Sequence, residues 1–227
     1  MNNNTINNKN NRIIFFSAHP DDEIGSAGGF LIKQKKAGAV IRLVLCLNPG
    51  EPRFNLNEKE EKEIRLAEFK KTAGKLGAEY SFLNFERYPV LNLKTILACV
   101  KEIRLFKPDI VLIIQENDYH SDHQLVAKIV KRAVWHAGRN AFPECGLPHR
   151  VEKIMEAEGD RPMFEPNHLE DITSEIEEKL QLLGLYESQI SRKNLAEAIE
   201  GLNKFRGIMY KCGKYAEAFK ITTFYYG

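Results

Sequence analysis

An α/β fold with a mostly parallel sheet, covered by helices on both faces, is the architecture this sequence predicts. Three observations point to it. Short β-branched and aromatic runs, such as Ile13-Ile14-Phe15-Phe16 and Ile110-Val111-Leu112-Ile113-Ile114, alternate with longer stretches of helical pattern. Those runs are apolar throughout rather than at every second residue, as befits strands buried on both faces. No linker-like segment interrupts the 227 residues, enough for a single core burying roughly 70% of the unfolded surface. The chain therefore reads as one three-layer domain over 12–227, behind an Asn-rich tail at 1–11 expected to be disordered.

The elements follow in order. A strand at 12–17 leads through Pro20 into a helix at about 23–37. Gly25, Gly28 and Gly29 weaken that helix intrinsically, so they imply close backbone approach to the sheet or to a ligand. Gly38 ends it, and 40–47 makes a second buried strand. After a Pro/Gly/Asn loop at 48–57, a charged helix covers 58–76, with Gly77 as its C-cap. Strand 80–85, helix 93–106 and strand 109–115 come next. Ser121-x-x-Gln124 has the capping-box pattern and predicts a helix from Asp122 to about Ala137. The segment 139–149, with Pro143, Gly146 and Pro148, reads as a loop and a candidate lid. Residues 151–157 suit either a helix or a further strand. Ser174-x-x-Glu177 opens a helix to about 185, another spans 194–211, and 218–226 closes the chain as a strand.

Composition excludes several classes. The 33 Lys and Arg nearly cancel the 31 Asp and Glu, leaving a net charge of +2 that offers no footprint for nucleic acid. The four cysteines are far apart and form no Cys-x-x-Cys pair, which argues against both a disulfide framework and a zinc ribbon. The N-terminal stretch lacks the apolar core of a signal peptide, and no later run is long enough to span a bilayer. A soluble cytoplasmic protein is the expectation, with self-association left open.

Two polar clusters carry the chemistry. His19-Pro20-Asp21-Asp22-Glu23 leaves the first strand, and His120-Ser121-Asp122-His123 follows the fourth. In a doubly wound sheet of order 3-2-1-4-5 those strands are neighbours, and ligands bind in the crevice outside their C-terminal ends. Either cluster alone would be read as a helix-dipole complement or a surface histidine; the pair at one crevice reads as a metal-dependent hydrolase. His19, Asp22 and His123 make a three-ligand set that leaves one position for water. Asp21 is placed to contact that water as general base, and His120 to reach the reacting group.

Ala18-His19-Pro20-Asp21-Asp22-Glu23 together with His120-x-Asp122-His123 resembles the LmbE/PIG-L family of zinc-dependent de-N-acetylases. Arg65-x-x-Glu68, Lys75-Leu76-Gly77, Lys107-Pro108-Asp109, Asp171-Ile172-Thr173, Ser188-Gln189 and Tyr215-Ala216-Glu217-Ala218-Phe219 match weaker family signatures in the expected order. The resemblance implies a Rossmann-like fold with His19, Asp22 and His123 as zinc ligands and Asp21 as base. It further implies His120 as the group that stabilises the oxyanion or protonates the leaving amine, and Asp122 as its orienting partner. The implied reaction removes an N-acetyl or related N-acyl group from an amino sugar within a larger conjugate.

The sequence departs from the family pattern at Asn48-Pro49-Gly50-Glu51, where Thr-x-Gly-Glu is common. It also departs at Asn84-Phe85-Glu86-Arg87, where Glu86 is the candidate for contacting sugar hydroxyls. Arg53 and Arg65 are candidates for an anionic part of the substrate, or for solvated surface. Zn²⁺, Fe²⁺ or Co²⁺ all suit such a ligand set. An iron(II) oxygenase, a metal-dependent phosphoesterase and a non-catalytic sugar-binding relative are the competing readings; Glu217 has no role assigned.

Overall fold

A computed structural model describes residues 11–50, 57–86, 89–190 and 194–224; most of the N-terminal tail, and Arg53, lie outside them. Strands β1 (Arg12–Ser17), β2 (Val40–Leu47), β3 (Glu79–Phe85), β4 (Ile110–Ile114), β5 (Lys153–Ala157), β6 (His168–Asp171) and β7 (Ala216–Thr223) form one sheet. Its order is β3-β2-β1-β4-β5-β7-β6. The first five strands run parallel, and β7 is antiparallel to both β5 and β6. Helices α1 (Asp22–Lys36), α2 (Glu58–Leu76), α3 (Leu93–Phe106), α4 (Ser121–Ala137), α5 (Ile176–Leu183), α6 (Glu187–Ile190) and α7 (Leu195–Met209) connect and cover it.

The two-sided core follows from strand periodicity. Ile13 and Phe15 of β1 face a cluster that includes Leu31 of α1, Phe69 of α2 and Leu183 of α5. Their neighbours Ile14 and Phe16 face the opposite cluster, with Val100 and Ile103 of α3 and Val130 of α4. Successive strand side chains point to opposite faces, so an unbroken apolar run is what a doubly covered central strand needs. The pairing of β1 with both β2 and β4 puts the topological switch between β1 and β4. Among the described residues no helix is long and apolar enough to cross a membrane.

The glycines of α1 have a packing explanation. The helix kinks at Ala27 (φ −142°, ψ 18°), which frees backbone donors two and three residues on. Glu217 of β7 accepts both, from the amide nitrogens of Gly29 (2.8 Å) and Phe30 (2.7 Å). A Cβ on Gly29 would stand 2.6 Å from Ile172. Lys179 of α5, fully buried, donates to Glu217 (2.7 Å) and to Asn203 of α7 (2.8 Å). Glu217 thus ties α1, α5 and α7 to the sheet; a buried ion pair of this kind persists because every polar atom is engaged.

Several elements differ from the sequence expectation. Of residues 151–157, Lys153–Ala157 form strand β5. The strand β6 was not anticipated, because His168-Leu169-Glu170-Asp171 carries no apolar run; it forms by pairing with the edge of β7. Asn11, assigned to the tail, accepts from the Val40 amide at 2.9 Å and so extends the β1–β2 pairing. Helix α4 starts at Ser121 rather than Asp122, because His120 is the N-cap and its Nδ1 accepts from the Asp122 amide. Helix α5 begins only at Ile176, after Thr173 is drawn into a turn by the Asp171 carboxylate.

The segment 139–149 is no lid. It leaves the far end of α4, about 25 Å from His120 at 1.5 Å per residue. Buried Arg104 also fastens it: the guanidinium donates to the carbonyls of His136, Ala137, Arg139, Ala141, Phe142 and Gly146 at 2.8–3.2 Å. Substituting Arg104 with Ala strands these acceptors and should lower the unfolding free energy by about 3 kcal/mol. Urea unfolding reads this directly; a change under about 0.5 kcal/mol would contradict the clamp.

Candidate metal centre

The β1 exit is a tight left-handed turn. Asp21 has φ 100° and is the N-cap of α1, with its side chain making no capping bond. Its carbonyl accepts from Gly25 N at 2.8 Å and Ile24 N at 3.2 Å. The turn brings the Asp22 carboxylate back over the strand end, where Oδ2 accepts from the His19 amide at 2.8 Å. Behind it Glu23 is wholly buried, accepting from Ser17 Oγ (3.2 Å) and from the Tyr186 hydroxyl.

The β4 exit meets this turn. Asp22 Oδ1 lies 3.3 Å from His123 Nε2 and 3.9 Å from His19 Nδ1. One ring nitrogen from each of His19, His120 and His123 lies within 4.8 Å of the others. Two carboxylates orient the rings. Asp118 Oδ1 accepts from His123 Nδ1 at 3.0 Å, and Asp122 Oδ2 accepts from His19 Nε2 at 3.0 Å. A carboxylate can only accept here, so once a ring is neutral its other nitrogen keeps the lone pair, as metal-bound imidazoles require. His123 Nε2 is buried with no hydrogen-bond partner. Leaving such an atom unpaired in the interior is costly; a divalent cation satisfies it, and the residues present fit one.

Electrostatics agree with that fit. Burial works against a charged His123 ring, but the Asp22 and Asp118 carboxylates outweigh it and hold its pKa up at about 10. Burial likewise opposes Asp22 ionisation, yet His123 and His19 keep that carboxyl well below the usual range. Asp21 is pushed well above its ordinary value by burial and by Asp22, with Arg65 acting in the other direction. His120 is lowered by burial and by the neighbouring His19 and His123 rings.

Metal uptake should therefore release at least one proton per ion at pH 7.5, because the ion replaces the proton on His123. The sign is fixed by the raised pKa: the ring is protonated below about 10, so apparent affinity climbs with pH, roughly tenfold per unit for one proton. Calorimetry in two buffers of different ionisation heat measures the count; no proton release would contradict the geometry.

The structure brings His19, Asp21, Asp22, His120, Asp122 and His123 into one crevice. It changes one pairing. Asp122 was expected to orient His120, but its carboxylate bonds His19 and stays 3.8 Å from His120 Nδ1. The reason is the N-cap: His120 Nδ1 already faces the Asp122 backbone amide at 3.3 Å. Arg65 is not solvated surface. It is buried on α2, with its guanidinium 3.4 Å from the carbonyls of Pro20 and Pro49. Glu86 is exposed just past β3 and lines neither cavity beside the cluster.

Sequence reasoning missed Asp118, whose second oxygen accepts from Arg161 N at 3.1 Å, and Asp160, whose carboxylate approaches Asp118 and His123. Asp118 was findable, since a ligating histidine at a strand exit calls for a carboxylate on its other nitrogen. Two cavities adjoin the cluster. One, of about 80 Å³, is lined by His19, Asn48, Pro49, Gly50, Arg65 and His120 among others. The second, of about 120 Å³, meets Asp21, Asp22 and His123.

Fold and site together define a doubly wound α/β protein with a His/Asp group at its switch point that could hold a metal ion. The family model for GlcNAc-PI de-N-acetylase, PIG-L, matches residues 14–134, and the chain belongs to that family. A 1D-myo-inositol 2-acetamido-2-deoxy-alpha-D-glucopyranoside deacetylase from Thermomonospora curvata is 28% identical over 176 residues, 63% of this chain and 58% of that protein. The chain thus spans less than two thirds of that relative's length. Two solved structures share the fold. The N,N'-diacetylchitobiose deacetylase of Pyrococcus horikoshii is 23% identical with a TM-score of 0.84, covering 94% of this chain and 84% of that one. The 4-carboxy-2-hydroxymuconate hydratase of Pseudomonas putida KT2440 is 22% identical with a TM-score of 0.83, covering 96% and 98%.

Proposed function

We propose that this protein is a zinc-dependent hydrolase that removes an N-acetyl or related N-acyl group from an amino sugar such as an N-acetylglucosaminyl conjugate. The observation that carries the reading is the orphaned, buried His123 Nε2 facing Asp22 Oδ1 at 3.3 Å. Family membership and the curated deacetylase relative support the choice of reaction. His19, Asp22 and His123 would hold the ion, a nitrogen-rich three-ligand set suited to zinc. When bound, the ion supplies the charge that polarises an acyl carbonyl and makes water nucleophilic near neutral pH.

The chain's own residues supply the rest. Asp21 takes the proton of the attacking water; the C–N bond breaks, a C–O bond forms, and the proton passes to the leaving nitrogen. The products are a carboxylate and a free amine. His120 Nδ1 accepts from the Asp122 amide, so its Nε2 carries the hydrogen. That N–H is available to an oxyanion, a contribution of order 3 kcal/mol in comparable sites.

A hydratase shares this fold, so an assay of the amide must decide. Amine release is measured against a panel of N-acetylated sugar conjugates with protein of known metal content. Release that chelation abolishes and Zn²⁺ restores is the expected result. Sugar binding without any amine release, in metal-loaded protein, would turn the reading to a non-catalytic relative.

A further inference from the structure

The two cavities share no lining residue and differ in chemistry. His19, His120 and Asp122 face the polar one, with Asn48 and Arg65; Asp21, Asp22 and His123 face the other, between α1, β4, β7 and α7. The wall of this second cavity is Ile114, Ile199, Leu202 and Ala218, with the backbone of Gly25. A Cβ at Gly25 would come within 3.3 Å of Ile199 Cδ1, so the glycine keeps this side open.

Asp160 borders the cavity at its metal end, beside His123; the polar side chains farther in are already engaged by protein. Ser26 Oγ donates to Asp22 O (2.6 Å). Asn203 accepts from Lys179 and donates to Ala216 O (3.1 Å). Glu158 is paired with Arg206 and accepts from Met163 N (2.6 Å). Away from the metal end, then, the cavity offers an occupant apolar surface and few free hydrogen-bonding groups.

We propose that this cavity receives the acyl half of the substrate and is sized for chains longer than acetyl, of about four carbons, with Ile199 and Leu202 setting the limit. The proposal rests on the amide-hydrolase reading of the site. An apolar cavity of about 150 Å³ accepts benzene, so one of about 120 Å³ accepts a butanoyl chain, whereas an acetyl methyl fills only a small part of it. Each methylene moved from water into the cavity is worth about fourfold in affinity.

The test pairs two readouts on zinc-loaded protein: amine release from one amino sugar carrying acetyl, butanoyl or hexanoyl, and calorimetric binding of acetate, butanoate and hexanoate. Wild type should favour butanoyl over acetyl about tenfold in kcat/KM, and butanoate over acetate likewise. Ile199→Phe should abolish both preferences, and Leu202→Ala should move the optimum toward hexanoyl; both residues are half-buried on α7, where substitution is tolerated. Acetyl preferred by wild type, with neither variant altering chain-length selectivity, overturns the proposal while leaving the deacetylase reading intact. Butanoate preferred in binding and lost in Ile199→Phe, with no amine released from any substrate, supports the cavity assignment and sinks the reaction instead.

Discussion

Replacing Asp21 with Asn should leave metal content unchanged and cut amine release about a thousandfold, within the range general-base removal usually costs. The substitution is structurally mild for a reason visible in the turn. Asp21 sits at φ 100°, in the left-handed region, which Asn tolerates better than most residues. Its side chain makes no capping bond that Asn would lose. What Asn cannot do is accept a proton, so the loss falls on kcat while metal stoichiometry and KM stay close to wild type. Elemental analysis alongside single-turnover amine release separates these. Near-native turnover in metal-replete protein would remove Asp21 from the base role and direct attention to Asp160, the other carboxylate beside His123.

The central sheet was legible because its strands are buried on both sides, which leaves an apolar run that nothing else in a chain of this size explains. Ile13-Ile14-Phe15-Phe16 needs one face for α1 and another for α3 and α4, and the order around β1 follows. The C-terminal third was harder to read. β6 is held by edge pairing rather than by composition, and Glu217 acquires its role only when the kink at Ala27 frees the amide of Gly29, 188 residues before it in the chain. The site shows the same division. Its two histidine motifs are local and readable, whereas the partners of the rings are contacts across loops. Asp122 lies two residues from the helix cap yet serves His19, from 103 residues away. Nothing in residue spacing distinguishes that from a contact with His120; the difference arises from which nitrogen of His120 the helix start consumes.

His123→Ala should abolish both metal retention and amine release, a more severe outcome than any change in the groups around it. The ring supplies the deepest donor of the set, 5% exposed, and Asp22 and Asp118 converge on it from either side. Its removal leaves these two carboxylates buried without their shared partner, so the metal-free variant also loses stability unless one of them takes up a proton. Loss of activity alone would therefore not separate a ligand from a packing residue. Two companions do. Asp118→Asn keeps an acceptor for His123 Nδ1 but removes its charge, and should weaken metal binding only 10–100-fold, the usual cost of an outer partner. His123→Cys offers a thiolate in place of the imidazole and should regain Zn²⁺ where Ala does not. A His123→Ala protein that folds and still holds one equivalent of metal would mean that His19, His120 and Asp22 form the site between them, with His123 merely stacked beside it.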